Sequence, residues 1–281
     1  MKQYAFFGWQ TADIRDARGL TPRDYYDHLS QIWSAETCAP RMRDGWTKEN
    51  KTLGQCSVTA FLMQDMYGGQ VRGVALGDGN YHCFNVADGC VFDLTSEQFG
   101  NAKLDYENCP EQKREEHFAK TEKRLRYELL KARLRARLAV IRPMKEQDRQ
   151  AVREMMRVFY ASPAVLSNGS DLIFDADIDY CVGGSPYLEG FVFEEGNALL
   201  GYGMIAKSFS TEFGKPCVWI EDLYIREACR GAGLGSRFLE HVKRLCPDWV
   251  QRLEVEAENE RAIEVYKKNG FDVLPYMEMK R

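Results

Sequence analysis

Runs of apolar and polar positions divide the chain into two halves joined by a charged segment. From about Glu111 to Leu138 the stretch EQKREEHFAKTEKRLRYELLKARLRARL holds neither glycine nor proline and is rich in strong helix formers, so one long helix is expected. Phe118, Leu125, Leu129, Leu130, Leu134 and Leu138 recur at roughly helical spacing and give it one apolar face. A short apolar strand, Leu138 to Ile141, then opens a second domain before Arg142-Pro143. The expected division is 1–137 and 138–281.

The second half alternates its periods. Gln147 to Phe159 reads as an amphipathic helix, and Phe191 to Glu194, Ala198 to Ala206 and Cys217 to Ile225 read as strands. After a glycine-rich turn come a helix from about Leu234 to Leu245, a strand at Arg252 to Glu256, a helix from Asn259 to Lys268 and a last strand near Phe271 to Met277. This order predicts an α+β or α/β domain with helices flanking a central sheet. In the first half, GQCSVTAFLMQDMYGG predicts an apolar helix. GNYHCFNVADGCVFDLTSEQF predicts two strands around the turn Ala87-Asp88-Gly89, which makes a second, smaller α+β domain.

Composition changes little in that picture. An apolar fraction of 44%, a charged fraction of 28% and a net charge of -4 describe an ordinary globular chain with no global field toward nucleic acid or anionic membrane. Arg124, Arg126, Lys131, Arg133, Arg135 and Arg137 crowd the end of the charged helix, and form either a solvated surface or a basic face for RNA or a partner. The opening residues MKQYAFFGWQTADIRD are too short and too polar for a signal peptide or membrane span, so a cytoplasmic protein is expected. Nine cysteines without a CxxC pair then read as reduced thiols, and with only four histidines no metal site is expected.

Candidate chemistry gathers first at CRGAGLGSRF, residues 229–238, where glycines precede an amphipathic helix. A helix start offers unpaired backbone N–H groups and partial positive charge, and glycines let a phosphate approach them. The dinucleotide and Walker patterns do not fit: the first needs glycine at Ser236, and no Gly-Lys-Ser/Thr follows. Arg230-x-x-Gly233-x-Gly235 instead resembles the acyl-CoA pyrophosphate motif of the GNAT acetyltransferase superfamily. Asn259-x-x-Ala262-x-x-Val265-Tyr266-x-x-x-Gly270-Phe271 resembles that family's second signature, and the resemblance spans about Leu138 to Arg281.

That resemblance implies a mixed central sheet and acetyl-CoA as cosubstrate. The implied cofactor contacts are Leu223, Tyr224 and Ile225 along a strand, Arg230, Gly231, Ala232, Gly233, Leu234, Gly235 and Ser236 in the cradle, and Asn259 and Tyr266 beyond it. Acyl transfer to an amine requires a base and an acid. Strand alternation places Glu221 with Trp219 and Leu223, and Asp222 on the other face with Ile220 and Tyr224. A carboxylate between apolar neighbours should have a raised pKa, and the resemblance implies a glutamate as base here, which makes Glu221 either that base or a strand-end carboxylate paired with a basic residue. Tyr266 is the candidate acid for the departing thiolate, or an ordinary core tyrosine. Asp171, Asp175, Asp177 and Asp179 beside Tyr160, Tyr180 and Tyr187 make either an acidic mouth for a cationic amine or a solvated acidic helix. The acceptor expected is a small-molecule amine or a peptide, and a homodimer is open.

In the first half, Cys56 opens an apolar helix, where the dipole favours a thiolate. With His82 on one strand and Asp93 on the next, the chain order resembles papain-like and transglutaminase-like thiol enzymes. The words GQC, HxxN and DLTxxQF also resemble the small bacterial YunG-like family. Cys83 and Cys90 read as packing, and Trp33 and Trp46 as core or as walls of a groove near Cys56. A second reading keeps the acetyl-CoA fold as a sensor and places catalysis at the thiol.

Overall fold

The computed structural model describes residues 5–77, 79–166 and 169–277. The chain divides into two compact units, Met1–Arg135 and Ala136–Arg281.

In the first unit, helix α1 (Pro22–Leu29) starts at a capping box in which Thr21 and Asp24 satisfy each other's backbone N–H groups. Helix α2 (Cys56–Tyr67) is buried at every position from Ser57 to Met63, as its nearly continuous apolar sequence requires. It packs on an antiparallel sheet of order β1-β2-β3, comprising β1 (Gln70–Ala75), β2 (Tyr81–Ala87) and β3 (Cys90–Phe92). Asp88 (φ 47°) and Gly89 (φ 73°) both adopt positive φ, the tight turn that an Asp-Gly pair favours.

The expected single helix from Glu111 is instead two, α3 (Arg114–Phe118) and α4 (Thr121–Leu138). Tertiary pairing overrides helix propensity ahead of α3: Gly73 N–H donates to Pro110, Gln112 N–H donates to Val71, and Glu111 bridges Arg72. The basic residues of α4 are largely absorbed by their own unit. Arg126 binds Glu122 (2.8 Å) and the Thr37 carbonyl (3.1 Å), Lys131 binds Asp65 (3.0 Å), and Arg133 binds Ser34 (2.8 Å) and Glu36.

In the second unit a mixed sheet of order β4-β5-β6-β7-β8 is built from β4 (Val140–Pro143), β5 (Leu188–Glu195), β6 (Ala198–Ser210), β7 (Lys215–Ile225) and β8 (Val250–Leu253). All pairs are antiparallel except β7 with β8. The expected mixed sheet flanked by helices is borne out. Strand boundaries differ from expectation: α4 runs through Leu138, so β4 starts at Val140; β5, β6 and β7 are longer than expected; and β8 starts and ends earlier than Arg252 to Glu256. Residues 271–277 form no strand; Val273 and Met277 are 79% and 91% exposed, so their apolar pattern finds no sheet to bury against.

Helices α5 (Arg149–Tyr160) and α6 (Asp171–Val182) cover one face, where Val152, Met155, Met156, Phe174 and Ile178 pack with Val192, Tyr202, Met204 and Tyr224. Helix α7 (Leu234–Leu245) covers the other through Phe238, which meets Phe191 and Phe193 at 5.8 and 5.3 Å between ring centres. Helix α8 (Glu260–Lys268) follows β8. Among the described residues no helix is long and apolar enough to cross a membrane.

The α7 contact depends on Gly203. A Cβ there would lie 2.4 Å from the Phe238 ring. Gly203→Val is therefore expected to destabilise the protein by about 1–3 kcal/mol, the usual cost of overpacking, read as a lower urea midpoint. An unchanged midpoint would contradict this packing account.

Candidate active site

Strand β7 carries the first element of the site because its two edges end differently. Its parallel pairing with β8 runs from Cys217–Val250 to Ile220–Leu253 and stops there, whereas its pairing with β6 continues to Ile225. Beyond Glu221 the β8-side edge lies outside the ladder, and the backbone groups of Leu223 to Ile225 on that side can receive another extended chain. The β6 pairing also slips: Ile205 pairs with Ile220 and Met204 with Asp222, so Glu221 is an extra, bulged residue.

Beside that open edge lies a cavity of about 600 Å³. Leu223, Tyr224 and Ile225 form one wall, and the start of α7 forms another. Gly233, the N-cap of α7, sits at φ 79° and Gly231 at φ 81°, conformations natural only to glycine. No side chain caps this helix. The N–H groups of Leu234, Gly235 and Ser236 have no preceding turn to bond to, so the helix start presents unpaired donors and positive dipole charge. A Cβ on Gly235 would stand 3.5 Å from the Ile225 side chain, which shows how closely the helix start approaches β7. Arg230 donates from Nε to the Ile225 carbonyl at 2.9 Å and places its guanidinium 5.9 Å from the Tyr224 ring centre.

Helix α8 closes the cavity. Asn259 caps it by accepting from Ala262 N–H at 3.2 Å, and Asn269 donates to Ser236 Oγ at 2.9 Å, which ties α8 to the start of α7. Tyr266 lines the cavity, and burial raises its pKa, so the phenol holds its proton. Of the expected cofactor positions, all line this cavity except Ala232, which is buried behind it.

The carboxylates depart from the sequence reading. Glu221 is exposed: it shares its face of β7 with the half-buried Trp219 and Leu223, while the buried face carries Val218, Ile220, Asp222 and Tyr224. The buried carboxylate is Asp222, 4% exposed, which accepts from Tyr202 Oη at 2.8 Å and Tyr160 Oη at 3.2 Å. Burial raises its pKa to about 6, against the two phenol hydrogen bonds, and the negative charges of Asp177 and Glu221 add to the rise. Of the four aspartates of α6, three pair with arginines of α5 and so favour the solvated-helix reading for themselves: Arg157 binds Asp171 (2.6 Å), Arg153 binds Asp175 (3.1 Å) and Arg149 binds Asp179 (2.6 Å). Tyr180 and Tyr187 are exposed. Asp177 remains, with its pKa raised by burial. Burial raises the Tyr160 pKa, and the negative charges of Asp222, Asp177 and Glu221 add to the rise.

A second cluster lies in the N-terminal unit. Cys56 is the first residue of α2, reached through Gly54 (φ 68°), where a Cβ would lie 2.7 Å from Cys38 Sγ. His82 and Asp93, each 1% exposed, meet at 2.5 Å between Nε2 and Oδ2. Asp93 also accepts from Thr95 N–H and Oγ1, both at 3.0 Å, and from Tyr106 Oη at 3.0 Å. Burial is the largest influence on the His82 pKa and pulls it down, but the charge and hydrogen bond of Asp93 together with those of Cys56 outweigh it, and the result is about 10. Cys56 lies within hydrogen-bonding reach of Cys83 and His82, and these contacts lower its pKa well below the thiol range against the cost of burial. Cys83, expected as packing alone, therefore adjoins Cys56. Trp33 is core, its Nε1 donating to Thr59 Oγ1 at 3.0 Å, and Trp46 donates to the Lys51 carbonyl at 2.9 Å. Among the described residues no cluster of three or more His, Cys, Asp or Glu is placed to hold a metal ion.

Comparison with known proteins names both units. Residues 151–271 match the acetyltransferase (GNAT) family model, and residues 21–139 match the YunG protein model. The chain belongs to the YunG family, with a GNAT acetyltransferase domain following the YunG segment. It is 39% identical over 93 residues to "Uncharacterized protein YunG" of Bacillus subtilis (strain 168), covering 33% of this chain and 74% of that protein. It is 34% identical over 79 residues to the thialysine N-epsilon-acetyltransferase of Bos taurus, covering 27% of this chain and 46% of the relative, less than half its length. A solved structure of "a possible acetyltransferase from Clostridium difficile 630" aligns with 51% of this chain and 96% of its own, at 16% identity and a TM-score of 0.45.

Asp222 yields a stability prediction. Its folded-state pKa of about 6 exceeds the ordinary 3.8, so the folded protein binds the proton more tightly and loses stability as pH rises between these values. Relative to wild type, Asp222→Asn should gain up to about 3 kcal/mol between pH 4 and pH 7, taking 1.36 kcal/mol per unit. Urea unfolding at both pH values measures this, and a difference independent of pH would contradict it.

Proposed function

We propose that the C-terminal unit transfers an acetyl group from acetyl-CoA directly to a primary amine of a small cationic or peptide acceptor. The observation that carries this reading is the cavity itself, where a released strand edge and an uncapped, glycine-led helix start meet. A pyrophosphate suits the unpaired N–H groups of Leu234 to Ser236 and the charge of Arg230. An extended arm carrying amides suits the edge of Leu223 to Ile225, and Asn259 and Tyr266 close over it. Acetyl-CoA supplies a thioester carbonyl there.

The chain's own residues take up the proton work. Glu221, exposed at the bulge, accepts the proton of the incoming ammonium through water, and Tyr266, held protonated by burial, donates to the departing thiolate. Glu221, Asp222 and Asp177 together attract a cation, so the acceptor binds as its ammonium form before losing a proton. Thialysine and lysine-like ω-amines are the first acceptors to test, since the bovine relative is named for the former.

Chromatographic measurement of CoA release over a panel of amines tests the assignment. Tyr266→Phe should lower kcat by about 10²-fold or more, within the usual range for loss of a general acid, and Glu221→Gln should lower it at neutral pH. If the double variant turned over like wild type, the acid and base would be wrongly assigned. Asp177→Asn should raise KM for a cationic acceptor and leave KM for acetyl-CoA unchanged; equal effects on both would remove Asp177 from acceptor recognition.

A further inference from the structure

The N-terminal unit carries a constellation that acetyl transfer from CoA does not use. We propose that it is a second catalytic centre, a thiol acyl-transfer site. In it Cys56 attacks the carbonyl carbon of an amide, ester or thioester, and His82, oriented by Asp93, moves the proton.

The geometry supports each role. His82 Nε2 is engaged by Asp93 at 2.5 Å, which fixes that proton and leaves Nδ1 to hold and release a proton toward Cys56. Asp93 cannot swing away, because Thr95 and Tyr106 hold both its oxygens. Phe99 stands edge-on to the imidazole at 4.7 Å and fixes the ring plane. Gln98 reaches across the site: it donates from Nε2 to the Thr95 carbonyl at 2.8 Å, approaches His82 Nδ1 at 3.5 Å, and accepts from Gly54 N–H at 3.4 Å.

At the start of α2 no side chain caps the helix, so the N–H groups of Cys56, Ser57 and Val58 face whatever the thiol attacks. They are the donors for a developing oxyanion. A buried imidazole and carboxylate cost several kcal/mol of desolvation unless well paired, and an apolar pair would pack the core at lower cost. The pairing seen here instead keeps a protonated imidazole beside a thiolate. Other titratable groups act on Cys56 as well. Cys83 donates to it, Cys38 lies nearby, half-buried Lys123 adds positive charge, and His117, its pKa lowered to about 4 chiefly by burial, stays neutral. Because Cys56 is half-buried while His82 and Asp93 are enclosed, the substrate presents a slender acyl end.

The reaction balances with water as the second reactant. Cys56 Sγ forms a C–S bond to the acyl carbon as the bond to the leaving nitrogen, oxygen or sulfur breaks, and His82 Nδ1 gives that leaving atom a proton. Water then attacks the acyl-thioester and yields its proton to His82. A carboxylic acid departs, and the thiolate and protonated imidazole are restored.

The test uses the full chain without acetyl-CoA. p-Nitrophenyl acetate serves as acyl probe, with acid quench and peptide mass spectrometry to locate any acetyl group, and iodoacetamide labelling of each cysteine is followed from pH 4 to 9. Acetylation of Cys56 is expected, with alkylation at pH 6 at least tenfold faster than at the other cysteines. Steady p-nitrophenolate release should vanish in Cys56→Ala and fall at least tenfold in His82→Gln, and its occurrence without acetyl-CoA separates this site from CoA-dependent transfer. Asp93→Asn should move the alkylation midpoint of Cys56 upward. Variants are compared only when their circular dichroism matches wild type. The proposal is overturned if Cys56 forms no acyl adduct, or if it alkylates with an ordinary thiol midpoint in the wild-type chain.

Discussion

In the C-terminal unit everything at the site follows from the parting of β7 and β8 after Ile220 and Leu253. Had the parallel ladder continued, the backbone of Leu223 to Ile225 would be saturated and the space beside it filled. Because it stops, β7 presents an unpaired edge, and the chain leaving β8 is free to reach Asn259 and turn into α8 across the gap. The third wall is set independently by Gly233, whose positive φ starts α7 at the same opening. A strand edge that accepts amides and a helix start that accepts anions thus meet in one cavity.

The N-terminal unit is governed by a different constraint, strand register. The Asp88-Gly89 turn pairs Ala87 with Cys90 and Asn85 with Phe92, which brings Asp93 alongside the strand that carries His82. A slip of one residue would send one of them to the opposite face of the sheet. Gly54 adds the second requirement, since only a residue without a Cβ lets the chain pass Cys38 into the start of α2.

Local signals were legible in the sequence, and tertiary ones were not. The glycine stretch, the Asp-Gly turn and the amphipathic helices are written in contiguous residues, so the cradle and the β2–β3 hairpin were readable. Strand β1 and the break before α3 were not, because β1 forms by pairing with β2 and the break by pairing between Val71–Gly73 and residues 110–112. Alternation separates Glu221 from Asp222, but the choice of Glu221 leans on the family resemblance; which face of β7 is covered by α5 and α6 depends on tertiary packing, and it is the face of Asp222 and Tyr224. The pairing of α5 with α6 did have a signal. Arg149, Arg153 and Arg157 repeat every four residues, as do Asp171, Asp175 and Asp179, and two such rows on neighbouring helices neutralise each other.

The central claim is that the cavity between β7, α7 and α8 receives acetyl-CoA. Calorimetric titration of acetyl-CoA into the full chain, and into Arg230→Glu and Gly233→Asp variants with unchanged circular dichroism, tests it most directly. The account predicts saturable one-to-one binding to the wild-type chain that weakens at least tenfold in both variants. Absence of binding to the wild-type chain, or equal affinity in all three proteins, would contradict it.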